Sequence, residues 1–232
     1  KAWLAIPERT RSRASWTADS RALIASAPDG PRTSIWRIPL DGPPMRWRTD
    51  AGVASEIAPA RDGKTLVIGA LPQRPPEIYL LRDAESEPQR LTDLHAGVAA
   101  LSLGKTEALS WEVEGLPLSG VLTFPPGFDN TRKYPLVLLI HGGPWASSRE
   151  AFSAQAQAMA SKGWIIFEPN YRGSDNAGNK LYSAVYRDHG AGPGRDVMSG
   201  LELLKKRNYI DWSRVGVSGW SYGGYMTTWL IG

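Results

Sequence analysis

From residue 107 onward the apolar positions fall in unbroken runs rather than in alternation. Residues 136–140 (Leu-Val-Leu-Leu-Ile), 164–167 and 214–218 predict three strands buried on both faces. Between the first two, Phe152, Ala156 and Met159 recur at helical spacing, with Gly163 beyond them. That pattern predicts a helix over about 150–162 with a glycine at its C-terminal end. Val197, Leu201 and Leu204 share one helical face, predicting a second helix from a cap at Asp196 to about Arg207. A third helix is predicted over 222–230. Residues 108–113 and 120–124 read as two strands joined by a turn, the second ended by Pro125, Pro126 and Gly127. Strands alternating with helices predict a parallel α/β sheet.

The first hundred residues are patterned differently, as short apolar stretches between Gly, Pro and Asp turns. They contain a weak repeat. Asp19-Ser20-Arg21, Leu23-Ile24-Ala25 and Ile35-Trp36-Arg37-Ile38 recur 43 residues later as Asp62-Gly63-Lys64, Leu66-Val67-Ile68 and Ile78-Tyr79-Leu80-Leu81. A period in the low forties with several strands per unit suits β-propeller blades. In each unit a tight turn precedes an apolar strand, and a second strand is expected after a Pro-rich loop. Residues 90–106 read as a connector, with His95 given no role. The chain therefore divides into a partial β-propeller-like region with connector, residues 1–104, and an α/β portion, residues 105–232.

Composition narrows the chemistry. The 232 residues are 42% hydrophobic, enough for a packed core, and carry a net charge of only +4. Ten Trp residues suit β-rich packing. The basic residues form no stripe, which argues against a nucleic-acid or membrane partner. The one short run, Lys205-Lys206-Arg207, falls at a predicted helix end, where cations complement the dipole. There is no Cys, so neither a thiolate nucleophile nor a Cys-ligated metal is available. No apolar stretch of about 18 residues is present, and the sequence, which begins at Lys1 rather than Met, shows no signal-peptide pattern, as expected of a removed leader or a trimmed start. The compartment stays open.

The strongest chemical signal is Gly219-Trp220-Ser221-Tyr222-Gly223. This G-x-S-x-G lies between a buried strand and a helix, the setting of a nucleophile elbow. There a serine occupies a strained turn that lifts its hydroxyl above the sheet, and the flanking glycines clear the crowded backbone. The second signal is His141-Gly142-Gly143-Pro144, straight after the strand at 136–140. In such folds the loop after that strand gives one oxyanion N–H, and the residue after the nucleophile gives the other. Pro144 cannot donate, so the expected donors are the backbones of Gly143 and Tyr222. His141 is read as ordering its loop, because the base follows the nucleophile in the chain order of these enzymes.

Other signals carry less. Residues 190–194 (Gly-Ala-Gly-Pro-Gly) lack the Lys-Ser/Thr of a phosphate loop and read as a flexible loop, with His189 beside them. Asp175, Asp188, Asp196 and three scattered His show no metal spacing, so no metal or cofactor is expected. Arg172 is expected to organise its loop by bonding backbone or a carboxylate.

Three segments together resemble the prolyl oligopeptidase family, particularly its acylaminoacyl-peptidase and dipeptidyl-peptidase branches. They are Tyr134-Pro135-Leu136 running into His141-Gly142-Gly143-Pro144, then Pro169-Asn170-Tyr171-Arg172-Gly173-Ser174, then Gly219-Trp220-Ser221-Tyr222-Gly223-Gly224-Tyr225. Pro125-Pro126-Gly127-Phe128 also looks like the family's second-strand exit. The resemblance covers about residues 105–232 and implies a partial α/β-hydrolase sheet. It further implies a serine peptidase acting on short peptides through an acyl-enzyme at Ser221, with the Tyr222 side chain lining the substrate pocket. A propeller would restrict entry to small or unfolded substrates. The family places an acid and then a His beyond the nucleophile, whereas residues 222–232 contain no Asp, Glu or His. The expectation is a fragment cut at both ends and inactive alone, its triad to be completed by a missing C-terminal segment or a second copy. An esterase on the same scaffold, or a binding protein on a degenerate hydrolase fold, are the alternatives.

Overall fold

The computed structural model describes residues 14–47 and 52–232. Residues 1–13 and 48–51 of the predicted first region lie outside the described residues. Two four-stranded antiparallel sheets come first. One runs in order through β1 (Ser15–Trp16), β2 (Ala22–Asp29), β3 (Arg32–Pro39) and β4 (Met45–Trp47). The other runs through β5 (Val53–Pro59), β6 (Thr65–Leu71), β7 (Arg74–Leu81) and β8 (Gln89–Arg90). The two predicted repeat units fall on β2–β3 and β6–β7. Ile24 and Ile35 of one sheet pack with Ala54, Ile57, Val67 and Leu81 of the other in a single cluster.

Pro75 and Pro76, expected in a loop, lie inside β7. The ladder accommodates them because its register slips there: Gly69 pairs with Glu77 and Leu71 with Arg74. A proline that cannot donate is tolerated at such an irregularity.

The connector is more ordered than its composition suggests. Glu77, only 1% exposed, accepts the Thr92 hydroxyl, the N–H groups of Leu94 (3.1 Å) and His95 (3.0 Å), and lies 3.2 Å from His95 Nδ1. These donors, the Thr92 hydroxyl foremost, hold its carboxyl down at about 2. His95 thus has a structural part, at the start of the short helix α1 (Ala96–Ala99).

The third sheet has five strands: β9 (Thr106–Val113), β10 (Leu116–Thr123), β11 (Tyr134–Ile140), β12 (Ile165–Asn170) and β13 (Ile210–Gly219). Their order is β13-β11-β12-β10-β9. β11 pairs in parallel with both β12 and β13, whereas β10 runs antiparallel to β12 and β9. The sheet is therefore mixed rather than parallel, because the hairpin β9–β10 joins it beside β12. The apolar run of β11 serves both faces, as its sequence requires. Leu136, Leu138 and Ile140 face the main core with Ile165, Phe167, Val197, Leu204 and Met226. Leu139 faces a second cluster with Ala156, Ala160 and Ile166.

Four helices follow this sheet's strands: α2 (Ala154–Ala160), α3 (Gly178–Ser183), α4 (Ala191–Leu204) and α5 (Tyr222–Ile231). Ser153 caps α2, its hydroxyl accepting the Ala156 N–H at 3.2 Å. α4 corrects two expectations. It begins at Ala191, so residues 191–194 form its first turn instead of a flexible loop, and Asp196 lies inside the helix instead of capping it. Pro193 costs nothing there, since first-turn N–H groups have no intrahelical acceptor. The Asp188 carboxylate accepts the Gly192 N–H at 2.9 Å. Gly194 is required by packing, because a Cβ there would sit 2.1 Å from the Trp229 ring.

One strand residue has no such support. The Glu168 side chain of β12 makes no hydrogen bond or ion pair among the described residues, and burial pushes its carboxyl up from 4.5 to about 7. A raised acid pKa means that the folded state holds the proton more tightly than the unfolded chain. Stability is therefore full below about pH 4.5, falls as pH rises toward 7, and is flat above that. Glu168→Gln is expected to stabilise the protein by up to about 3 kcal/mol at pH 8 and to change it little at pH 4. Urea unfolding at the two pH values checks this, and equal effects at both would refute it.

Candidate functional site

β11 and β13 end together. Leu139 pairs with Ser218 and Ile140 with Gly219, so the segments leaving the two strands start side by side. The chain leaving β13 turns sharply into α5 at Ser221, whose backbone takes φ +55° and ψ −122°. A positive φ is unusual for a residue with a side chain and costs energy that the surroundings must sustain. Ser221 is exposed. The turn closes with the Gly223 N–H donating to the Trp220 carbonyl at 2.8 Å.

The glycines of the motif have steric reasons. A Cβ on Gly219 would lie 2.4 Å from the Gly223 backbone, and one on Gly223 would lie 2.1 Å from the Ile140 carbonyl oxygen. The turn is thus seated directly on the end of β11. Gly142 completes the approach, since a Cβ there would lie 3.3 Å from Ser221 Cβ. The chain then turns through Gly143 at φ +122°. No hydrogen bond among the described residues uses the backbone N–H of Gly143 or Tyr222.

His141 has partners of its own beside the turn. Its ring stacks on Tyr171 at a centroid distance of 4.3 Å, and its Nε2 lies 3.0 Å from Ser174 Oγ. The Tyr171 hydroxyl donates to the His141 carbonyl at 2.6 Å, and burial raises its pKa well above the usual phenol value, so it stays a donor. The loop-ordering role read from sequence has these partners. Tyr222 lies in the first turn of α5. Its ring packs against Tyr171 and Tyr225, and its hydroxyl donates to the His189 carbonyl at 2.6 Å.

Arg172 is the buried anchor below this level. Its Nε and backbone N–H both donate to Asp196 Oδ2 at 2.8 Å, and its second guanidinium nitrogen reaches Asp196 Oδ1 and Glu114 Oε2 at 2.9 Å. Asp196 is fully buried. Sequence reasoning led to an expectation of backbone or a carboxylate as the partner of Arg172, and named no particular group. It also missed Tyr171 and Ser174 as partners of His141, although both lie in a segment singled out for its resemblance. Among the described residues no group of three or more His, Asp or Glu is placed to hold a metal ion, and no helix is long and apolar enough to cross a membrane.

Residues 150–232, which contain β12, β13 and the Ser221 turn, match the prolyl oligopeptidase family. Over those residues the chain is similar to the prolyl oligopeptidase family. The family's peptidases are serine-type hydrolases, and individual relatives extend the likeness over nearly the whole chain. An uncharacterized peptidase, YuxL, of Bacillus subtilis is 30% identical over 220 residues, covering 94% of this chain and 34% of the relative. Dipeptidyl-peptidase 5 of Aspergillus fumigatus is 27% identical over 235 residues, covering 97% and 32%. Among solved structures, the acylaminoacyl peptidase of Pyrococcus horikoshii superposes with a TM-score of 0.79 at 24% identity, over 94% of this chain and 34% of that one. An acylaminoacyl peptidase in complex with Z-Gly-Gly-Phe-chloromethyl ketone gives 0.78 at 25% identity, over 90% and 33%. The chain spans about a third of the length of the curated relatives it matches.

Proposed function

We propose that this chain is the nucleophile-bearing portion of a serine peptidase that hydrolyses short peptides through an acyl-enzyme at Ser221. The observation that carries the reading is Ser221 itself, exposed at φ +55° on the strand-to-helix turn with Gly142 set against it. In this reading the five-stranded sheet is part of an α/β-hydrolase sheet within residues 105–232. The two antiparallel sheets within residues 1–104 are neighbouring blades of a propeller that limits entry to small or unfolded substrates.

Ser221 Oγ attacks the substrate carbonyl carbon, and its proton passes to a base outside these residues. The tetrahedral oxyanion is received by the N–H groups of Gly143 and Tyr222, its collapse expels the amine, which takes the proton from that base, and water then hydrolyses the acyl-enzyme to restore the Ser221 hydroxyl. Each such donor is worth about 3 kcal/mol in the transition state. The Tyr222 ring, held by Tyr171 and His189, lines the pocket beside the acyl group. Because no Asp, Glu or His follows Ser221 among residues 222–232, a polypeptide limited to residues 1–232 is expected to leave Ser221 a weak nucleophile.

A fluorophosphonate probe and a pair of chromogenic substrates test this. The protein carrying this chain is expected to label at Ser221 and to turn over an aminoacyl nitroanilide. A polypeptide of residues 1–232 alone is expected to do neither. Hydrolysis of a nitrophenyl ester without any nitroanilide turnover would move the reading to an esterase. Robust labelling of the short polypeptide would overturn the need for an outside base.

A further inference from the structure

The loop that follows β11 is bound from behind, by the hairpin turn of the first sheet. Three contacts join them, and a fourth joins the hairpin to Asn176 in the segment after β12. The Gly30 N–H donates to the Asn176 carbonyl at 2.9 Å, and the Glu150 N–H donates to the Pro31 carbonyl at 2.7 Å. Arg32 Nε pairs with Glu150 at 2.5 Å. Arg149 reaches Thr33 Oγ1 at 3.3 Å.

Arg149 carries the contact inward. Its guanidinium donates through Nε to Ser147 Oγ at 2.9 Å and through a third nitrogen to Asp175 Oδ1 at 3.3 Å. Ser147 Oγ also donates to Asp175 at 2.6 Å. The Asp175 N–H donates to the Ala146 carbonyl at 3.2 Å, and the Ala146 N–H donates to the Pro144 carbonyl at 2.9 Å. Pro144 follows Gly143 directly. Asp175 is 7% exposed and is flanked by Ser174, which holds His141, and Asn176, which receives Gly30. The 174–176 segment therefore grips the Gly143 loop on one side and the hairpin on the other.

We propose that Arg149 and Asp175 are positioning residues for the oxyanion loop, and that they make its geometry depend on docking of the β2–β3 turn. This rests on the oxyanion role given to Gly143 above. None of the groups touches the reacting atoms; they fix where the Gly143 N–H points. An N–H misplaced by an ångström loses most of its effect on the transition state while substrate binding is retained. The signature is therefore a fall in kcat at nearly constant KM. A planar fork serves three acceptors at once, which a lysine's single nitrogen cannot do from the same position.

The test uses the protein carrying this chain and an aminoacyl nitroanilide. Arg149→Ala and Asp175→Asn are each expected to lower kcat about 10- to 100-fold with KM changed less than about threefold. Arg149→Lys, which keeps the charge and guards against a folding defect, is expected to recover stability but not kcat. Thr33→Val, on the far sheet, is expected to lower kcat by several-fold and to add little once Arg149 is already Ala. The proposal is overturned if Arg149→Ala raises KM at constant kcat, if Arg149→Lys restores kcat, or if Thr33→Val is silent or fully additive. A wild-type protein that neither labels nor turns over substrate would instead sink the peptidase reading, and this proposal with it.

Discussion

Ser221→Ala is expected to lower nitroanilide hydrolysis by the protein carrying this chain by roughly 10⁶-fold, with KM little changed. The size follows from the division of labour at the site. Alanine keeps the Cβ and the backbone that packs on Gly142, so the turn and its neighbouring N–H groups stay in place. Only the Oγ proposed to form the acyl bond is lost. Water would then have to attack a carbonyl still polarised by the proposed donors, the N–H groups of Gly143 and Tyr222, which leaves a small residual rate. Steady-state kinetics with active-site titration would measure it. A variant keeping a tenth of the activity would place the nucleophile elsewhere and remove the central claim about residue 221.

The second large effect is structural. Asp196→Ala is expected to destabilise the protein by about 3–5 kcal/mol. Arg172 is buried and delivers three N–H contacts to that carboxylate, so removing it strands a guanidinium away from water with Glu114 as its remaining anionic partner. The same change frees the start of the segment leading to Ser174 and His141, so activity is expected to fall with stability. Asp196→Asn, which preserves shape and one acceptor, should cost less. Denaturant unfolding would measure both, and a loss below about 1 kcal/mol for the alanine variant would show that water reaches the Arg172 guanidinium freely.

What could be read from the sequence was what neighbours in sequence decide. The runs at 136–140 and 164–167 declared buried strands because every position in them is apolar. The Gly-x-Ser-x-Gly at 219–223 declared a strained turn because Gly219 is forced by Gly223 just beyond the serine, although Gly223 itself is forced by Ile140 of another strand. The repeat at 43 residues located β2–β3 and β6–β7. Contacts between distant segments could not be read. Nothing local to Glu77 marks it as the acceptor for Thr92 and His95, and nothing local to Arg149 points to Thr33. The start of α4 was misplaced for a related reason. Gly192 and Gly194 look like loop residues, yet they are small because Arg172 and Trp229 press on them from elsewhere. Pro75 and Pro76 misled in the same way, their missing donors absorbed by a slip in the partner strand.

The pairing of Ile140 with Gly219 makes the exits of β11 and β13 one rung of a single ladder, an interstrand spacing of roughly 4.8 Å. Thermal displacement of either end carries the other along with it, so their separation is insulated from movement in the surrounding walls. On the proposed reading, pocket-lining segments can then be exchanged without disturbing that shared rung.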